Sequence, residues 1–498
     1  MSESGAGKES TGQQHGYRSD KPLVAALLAM LLAYAVAVGV GKMQPGGHDG
    51  GGHGGDHAAE TKIAHPAAIL PFAMLLGAIA VFPLMRLTSH WWEHNHNKLL
   101  VAAGLAMVTL AYLAFGHPAG SVSFARSTLA HTVVQEYVPF IILLFSLYTI
   151  CGGIRIAGDL PAHAWTNTRF MLVGGVLASF IGTTGAAMLL IRPLLETNSE
   201  RKRVAHTVVF FIFVVCNCGG LLLPLGDPPL FLGYLQGVPF LWTLHLWPSW
   251  MFVNGLLLAV YFAWDHFYAY PREEKRDVRI DESRVHRLRF SGLWPNALLL
   301  VGVVLAVGLL DSSKPMPGTN WTPWFYLREA VLLGLVAISL LAGATSIRVA
   351  NSFNYVAIIE VACLFIGIFV CMQPALEILR ASGSSLGINT PDRFYWATGV
   401  LSSVLDNAPT YLVFFEAAKA IEFEGAQIAG VAEPLLAAIS LGAVMMGAMT
   451  YIGNGPNFMV KSIAENSGVR MPSFFGYIGY SVCVLLPILV LDSLLFVK

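Results

Sequence analysis

The chain has 498 residues, of which 55% are hydrophobic and only 12% charged, and its formal net charge is zero. A soluble domain carries about 25% charged residues, so the polar coat of a water-facing protein is missing, and a balanced charge gives no basic surface for nucleic acid. Cys151, Cys216, Cys218, Cys363, Cys371 and Cys483 all fall inside apolar blocks, where they read as small buried hydrophobes rather than as disulfides or zinc ligands.

In chain order, a polar start leads into an apolar block at 22–41, too long for a signal peptide and read as a retained helix. The Gly-rich stretch at 42–66 holds His48, Asp49, His53, Asp56, His57 and His65. Its composition reads as a solvated loop, with metal binding the less favoured alternative. Apolar blocks of membrane-crossing length follow at 67–86, 98–115, 136–157, 204–241, 250–268, 293–311, 329–347, 354–374, 432–468 and 473–496. The blocks at 204–241 and 432–468 exceed one crossing and are interrupted by Gly and Pro, which reads as broken helices. Two shorter stretches, 170–192 and 395–418, carry small and polar residues at their middles and read as re-entrant hairpins. With hairpins there, the Lys and Arg of the loops fall mostly on the side of the N-terminus, which the positive-inside rule makes cytoplasmic. The fold expected is an all-α polytopic membrane protein of about 11 transmembrane helices plus two re-entrant hairpins. It divides into a tail, first helix and His/Gly-rich loop (1–66), a first repeat (67–269), a cytoplasmic linker (270–292) and a second repeat (293–498). The expected location is the inner (plasma) membrane, crossed many times.

The repeat is visible in the text of the sequence. Residues 175–183, ending on Gly182 and Thr183, align without a gap to 399–407, ending on Asp406 and Asn407. Residues 226–231, beginning Gly226 and Asp227, align to 453–458, beginning Gly453 and Asn454. Phe145 and Cys151 match Phe365 and Cys371 in the same order and at nearly the same offset. Each unit reads as helix, hairpin, broken helix, helix, and an odd number of crossings between equivalent points inverts one half relative to the other. Inverted repeats with broken helices are a transporter architecture. A backbone break in lipid leaves unpaired N–H and C=O groups at several kcal/mol each, so it persists only where protein covers it or where it lines a site.

Two sites follow from this pattern. The first joins the hairpin tip with Thr183 and Thr184 to the break at Gly226 and Asp227. The second joins Ser403, Asp406, Asn407 and Thr410 to Asn454 and Asn457. Thr hydroxyls, Asn amides and bare carbonyls are hard oxygen ligands, and an acid within an apolar stretch reads as functional, although Asp406 also suits a helix N-cap. Sodium is expected at Thr183, Asp227, Asp406 and Asn407. Asn217 and Glu360 are secondary candidates, and Glu136 and Glu416 also lie in or beside apolar spans. No phosphate-binding Gly-x-x-x-x-Gly-Lys loop is present, so nothing points to nucleotide-driven pumping or to an enzyme.

The run from Ser403 through Asp406, Asn407 and Pro409, with Gly219 and Gly220 through Gly226, Asp227, Pro228 and Pro229, resembles the ion transporter superfamily. The nearest branch is that of bacterial NhaD-type sodium/proton antiporters and citrate transporters. The resemblance implies a homodimer, each protomer with a scaffold domain and a transport domain that moves as an elevator, and sodium held where hairpin tips meet helix breaks. Dicarboxylate symporters of the superfamily carry Ser-Asn-Thr at both tips, and this chain departs from that at both. The function expected is secondary active transport, first of all sodium/proton antiport, with Asp227 and Asp406 binding either ion in turn. The alternative is a sodium- or proton-coupled symporter of citrate or a related carboxylate. A non-transporting receptor is disfavoured by the paired breaks. No cofactor is expected beyond sodium and protons as coupling ions. The expected partners are the lipid bilayer, a small ion or carboxylate, and a second copy of the chain, with no nucleic acid.

Overall fold

The structure is a computed structural model that describes residues 21–39 and 63–497, except 84, 86, 284, 317, 384–386 and 423–424. The polar start and residues 42–62 of the His-bearing loop, with every His and Asp named there except His65, lie outside the described residues. His65 takes a structural role there, accepting at Nδ1 from the backbone N–H of Ala67 and so capping the turn Pro66–Ile69.

The described chain is helical almost throughout. Four helices are long and apolar enough to cross a membrane unaided: Asn95–Gly116, Val122–Cys151, Trp242–Arg272 and Phe474–Phe496. A fifth span is the pair Val356–Cys371 and Gln373–Ser382, bent by 43°. Shorter apolar helices include Lys21–Ala37, Pro66–Val81 and Leu293–Leu309. Large apolar side chains such as Leu100, Met107, Leu298, Leu305, Met251 and Leu494 point outward from these helices and are exposed. An apolar exterior over apolar helices is stable against hydrocarbon and not against water, and it makes the chain a polytopic membrane protein.

Two helical hairpins stand where the sequence places them. In the first, Ala164–Ile181 turns at Gly182 into Thr183–Thr197. Gly182 has φ +80°, a conformation open to glycine at little cost. The arms pack along one another, and at their far ends Asn167 and Asn198 exchange two hydrogen bonds of 2.9 and 2.8 Å. That closure brings the chain back to the level it left. In the second hairpin, Pro391–Ser402 turns into Asn407–Lys419, with Phe394 edge-on to Phe414 across the arms. The long apolar blocks are broken as expected. Ala205–Val214 stops, the chain crosses a 3-10 turn at Cys218–Leu221, and helix resumes at Pro228–Leu235; Glu433–Met446 and Gly455–Asn466 repeat the pattern across Gly447–Met449.

The packing of these pieces has a two-fold logic. The first arm of each hairpin lies against the first segment of its own half's broken helix. Each second arm reaches the other half: Thr183–Thr197 packs on Gly455–Asn466, and Asn407–Lys419 packs on Pro228–Leu235 as well as on Glu433–Met446 of its own half. A separate group holds Lys21–Gly39, Leu70–Val81, Asn95–Ala111, Val138–Cys151, Leu293–Leu309, Leu327–Ala342 and Val356–Cys371. Within it Lys98 forms an ion pair of 2.6 Å with Glu360.

The charged linker is more ordered than its composition suggests. It contains the helix Lys275–Ser283 and the strand His286–Ser291, which pairs antiparallel with Arg155–Asp159. Arg201, next to the first hairpin, is buried between Asp265 and Glu273. Charge runs read as loop because their side chains have nothing apolar to bury; here ion pairs and a strand partner supply the order instead.

Asn167→Ala leaves Asn198 buried without its partner and should cost about 1–3 kcal/mol, read as a lower melting temperature of the purified protein. Cysteines at Trp165 and Ser199, both exposed at the hairpin's base, should be labelled from the same side of the membrane.

Candidate functional site

The site grows from the breaks. At the first, Gly220 and Gly226 approach so closely that a Cβ on Gly226 would lie 2.0 Å from the Gly220 carbonyl oxygen. This contact folds the break into a tight loop and delivers Asp227 to the start of Pro228–Leu235. The first hairpin tip docks there, with the Thr183 N–H donating to the Gly226 carbonyl at 2.8 Å. The Thr183 hydroxyl donates to Asp227 Oδ1 at 2.9 Å.

The second half reaches the same carboxylate. Asn407, at the tip of the second hairpin, donates from Nδ2 to Asp227 Oδ2 at 2.9 Å. Asn454, at the second break, donates from Nδ2 to Asp227 Oδ1 at 3.1 Å. In the sequence alignment Thr183 falls opposite Asn407, and Asp227 opposite Asn454. Asp227 thus has one tip residue on each of its oxygens.

Around this centre the amides are locked. Asn217 donates to Asn457 Oδ1 at 2.8 Å and to the Ile212 carbonyl at 2.9 Å. Asn457 donates to the carbonyls of Gly447 and Thr450 at 2.9 and 3.0 Å. The Ser402 hydroxyl lies 2.6 Å from both Asn407 Oδ1 and the Ala443 carbonyl oxygen, which fixes the amide that faces Asp227. Asp227, Thr183, Asn217, Asn407, Asn454 and Asn457 are all buried. Four helices begin here, at Thr183, Pro228, Asn407 and Gly455. Each N-terminus carries about +0.5 of a charge; Asp406 caps the one at Asn407, and Asp227 has only neutral hydrogen-bond donors on its carboxylate.

The structure thus fuses the two expected sites into one. It gathers Thr183, Gly226, Asp227, Asn407, Asn454, Asn457 and Asn217. It leaves Asp406 to one side: the residue is partly exposed and its carboxylate accepts from the Ala408 N–H at 3.0 Å, an N-cap. Thr410 donates back to the Asp406 carbonyl within its own helix, and Ser403 donates to Val400. Thr184 is partly buried and borders a small cavity of about 70 Å³. Glu360 is remote, half-exposed and paired with Lys98. It lies inside the apolar block at 354–374, but an apolar run fixes depth and not the face a side chain takes. Glu136 and Glu416 are the buried ones, Glu416 held by Arg380 and Lys419 at 2.6 and 3.1 Å.

Two groups escape the sequence reading. Ser402 is one, and nothing in the sequence separates it from its neighbour Ser403. Asp492 is the other, a fully buried acid in Leu486–Phe496 with the Tyr395 hydroxyl 3.5 Å from Oδ2 and no hydrogen bond at Oδ1. Its signal was present, since an acid inside an apolar span is a functional candidate.

The 70 Å³ cavity separates the first tip and break from Leu144, Leu147 and Tyr148 of Val138–Cys151 and from Ala357, Ile358 and Val361 of Val356–Cys371. The site elements therefore meet the other helix group across a partly open seam.

The family model described as "Putative citrate transport" matches residues 61–497. The chain belongs to that citrate-transport family. A comparison with curated proteins gave no match. Membership covers both hairpins and both breaks, so the Asp227 cluster is part of a transporter scaffold.

Gly226→Ala should abolish transport, because the new methyl meets backbone that has no room to yield. Gly255→Ala, where nothing lies within 4 Å, should leave flux and melting temperature unchanged; the pair is read by proteoliposome flux beside a melting curve.

Proposed function

We propose that the protein is a secondary active transporter whose coupling cation binds at Asp227, and that the exchange it performs is sodium for protons. One observation carries this reading: a buried carboxylate sits where both hairpin tips and both helix breaks converge, and its hydrogen bonds come from neutral groups. A buried charge without a counter-ion is costly. A proton or a sodium ion relieves that cost, and one carboxylate accepts only one of them at a time. Competition for one site couples opposite fluxes without a second gate. With sodium at Asp227, Thr183 Oγ1 and nearby backbone carbonyls would be the further hard ligands within reach.

The crossing of each second arm onto the other half supports an inverted repeat, in which the cluster has two nearly equivalent packings. The seam beside Thr183 and Tyr148 is where such a transport unit would slide against the remaining helices.

A second reading, sodium- or proton-coupled symport of a polycarboxylate, is favoured by a specific observation. Four helix N-termini around one site suit an anion once the charge of Asp227 is neutralised, and the family is described by citrate. Flux in proteoliposomes with sodium, pH and citrate varied in turn separates the readings. Antiport requires sodium-driven proton movement without citrate; symport requires citrate for any coupled flux.

Asp227→Asn should remove sodium-dependent flux while the protein still inserts and melts as the parent does; retained sodium dependence would take Asp227 out of the mechanism. Asn407→Ala removes one hydrogen bond to a charged group, worth about 1.5–3 kcal/mol, and should weaken apparent sodium affinity by about ten- to a hundredfold. Asp406→Asn keeps a good N-cap and should reduce flux far less than Asp227→Asn.

A further inference from the structure

Asp492 is a buried acid that the coupling site does not use. It lies in Leu486–Phe496, fully buried, with no hydrogen bond at Oδ1. Three elements meet at it. Trp247–Trp264 brings the Ser249 hydroxyl, the first arm of the second hairpin brings Tyr395, and the first break brings Cys218 into its field. Ser249, Tyr395 and Cys218 are buried too. Tyr395 and Cys218 are the titratable groups that face the acid; no Lys, Arg or His pairs with it among the described residues. An ionised carboxylate here is a buried charge without a counter-ion, which is costly.

The hydrogen bonds decide which state of the carboxyl fits. The Tyr395 hydroxyl has one proton and two oxygen neighbours, the Leu489 carbonyl at 3.3 Å and Asp492 Oδ2 at 3.5 Å. A carbonyl can only accept, so the hydroxyl proton goes to Leu489 and a hydroxyl lone pair is left for Oδ2. A carboxylate would then keep the Ser249 hydroxyl as its one donor. A protonated carboxyl suits the contacts better: Oδ2–H donates to Tyr395, and Oδ1 is an uncharged carbonyl oxygen, far cheaper to leave bare than part of a charge. At 3.5 Å that bond is long and holds the proton loosely.

A route to water runs along the same hairpin arm. Asp392 stands three residues before Tyr395, on the same helix face, and is exposed. Ser493, the chain neighbour of Asp492, donates to Asp392 Oδ1 at 2.7 Å. The buried acid is thus tied to a surface acid twice, through Tyr395 on the arm and through its own helix. In the other direction lies the first break. The Cys218 thiol is in the field of Asp492 and of Asp227 alike, and the Cys218 carbonyl accepts from Asn254 Nδ2 at 3.2 Å.

We propose that Asp492 is a second proton-binding site, distinct from the cation site at Asp227, which exchanges its proton with water at the surface marked by Asp392. The proton passes between the carboxyl and water, and no other bond changes. One consequence rests on the transport reading above: an ionised Asp492 adds negative charge across Cys218 from Asp227 and tightens cation binding there. Infrared difference spectroscopy on the protein in lipid reads the C=O stretch of protonated carboxyls. Asp492→Asn should remove one band at the high-frequency end, where an acid with a bare carbonyl oxygen absorbs, and should leave the melting temperature unchanged, since Asn has the same shape and no charge. Raising the pH should remove that band from the parent, and a pH dye in weak buffer should count one released proton per protomer that Asp492→Asn protein lacks. Tyr395→Phe keeps the ring and should shift both the band and its pH midpoint; it carries the test if Asp492→Asn does not fold. The band and its titration should persist in Asp227→Asn protein, which keeps this result separate from the coupling-ion reading. Sodium should bind Asp492→Asn protein as tightly as the parent where the parent's band is present, and more weakly where it is gone. Equal affinities at both pH values overturn the link to Asp227. A parent without the band, a band that outlasts both Asp492→Asn and Tyr395→Phe unshifted, or one that stays at every pH at which the protein is folded overturns the proposal.

Discussion

The carboxylate of Asp227 sets the terms for everything packed around it. An ionised acid inside a membrane protein persists only when fixed dipoles replace water. Here the replacements come from four places in the sequence: Thr183, Asn407, Asn454 and the helix start at Pro228. To bring a hydroxyl and two amides to one carboxylate, both halves must break a helix and fold a hairpin to the same point. The glycine contacts, the Pro-led helix and the locked amides of Asn217 and Asn457 follow from that need. Elsewhere the exterior needs only to be apolar, and the outward Leu and Met side chains meet that requirement with little positional specificity.

Much of this was legible because breaks and tips are written in residues with narrow uses. Gly, Pro, Asp and Asn in the middle of apolar text have few structural roles, and the repetition of the pattern fixed which pieces correspond. The partnership across the halves was not legible. Sequence pairs a tip with the break that follows it, since both lie in one unit; the structure also joins the second tip to the first break, through Asn407 and Asp227. Depth along a helix shows in hydropathy, but azimuth does not, and this is why Glu360 faces Lys98 at a half-exposed surface while Glu416 and Asp492 are buried. Asp406 and Asp227 look alike as text. The geometry separates them, because one carboxylate is used up in turning the chain and the other is presented to its neighbours.

The same packing is compatible with the movement that the proposed transport requires. The tips dock through a few polar bonds, such as Thr183 N–H to the Gly226 carbonyl, while the arms bury long apolar faces. Under the proposed cation binding, such polar bonds would exchange at little net cost, and the apolar faces would keep the unit together in a shift. The seam beside Tyr148 is lined by aliphatic side chains and a small cavity, a surface with little directional bonding to hold one position.

The crossing of the halves also has a consequence for biosynthesis. Asp227 emerges from the ribosome 180 residues before Asn407 and 227 before Asn454. At about 5–20 residues per second, the acid waits roughly 10–45 s for its last partner. During that interval the first hairpin and its break are inserted with an incomplete polar centre, and the Thr183 hydroxyl and the helix start at Pro228 are what the nascent half has to offer it. A ribosome that stalls between the two halves leaves this centre open within the bilayer, where water, a chaperone or a protease is the first to find it.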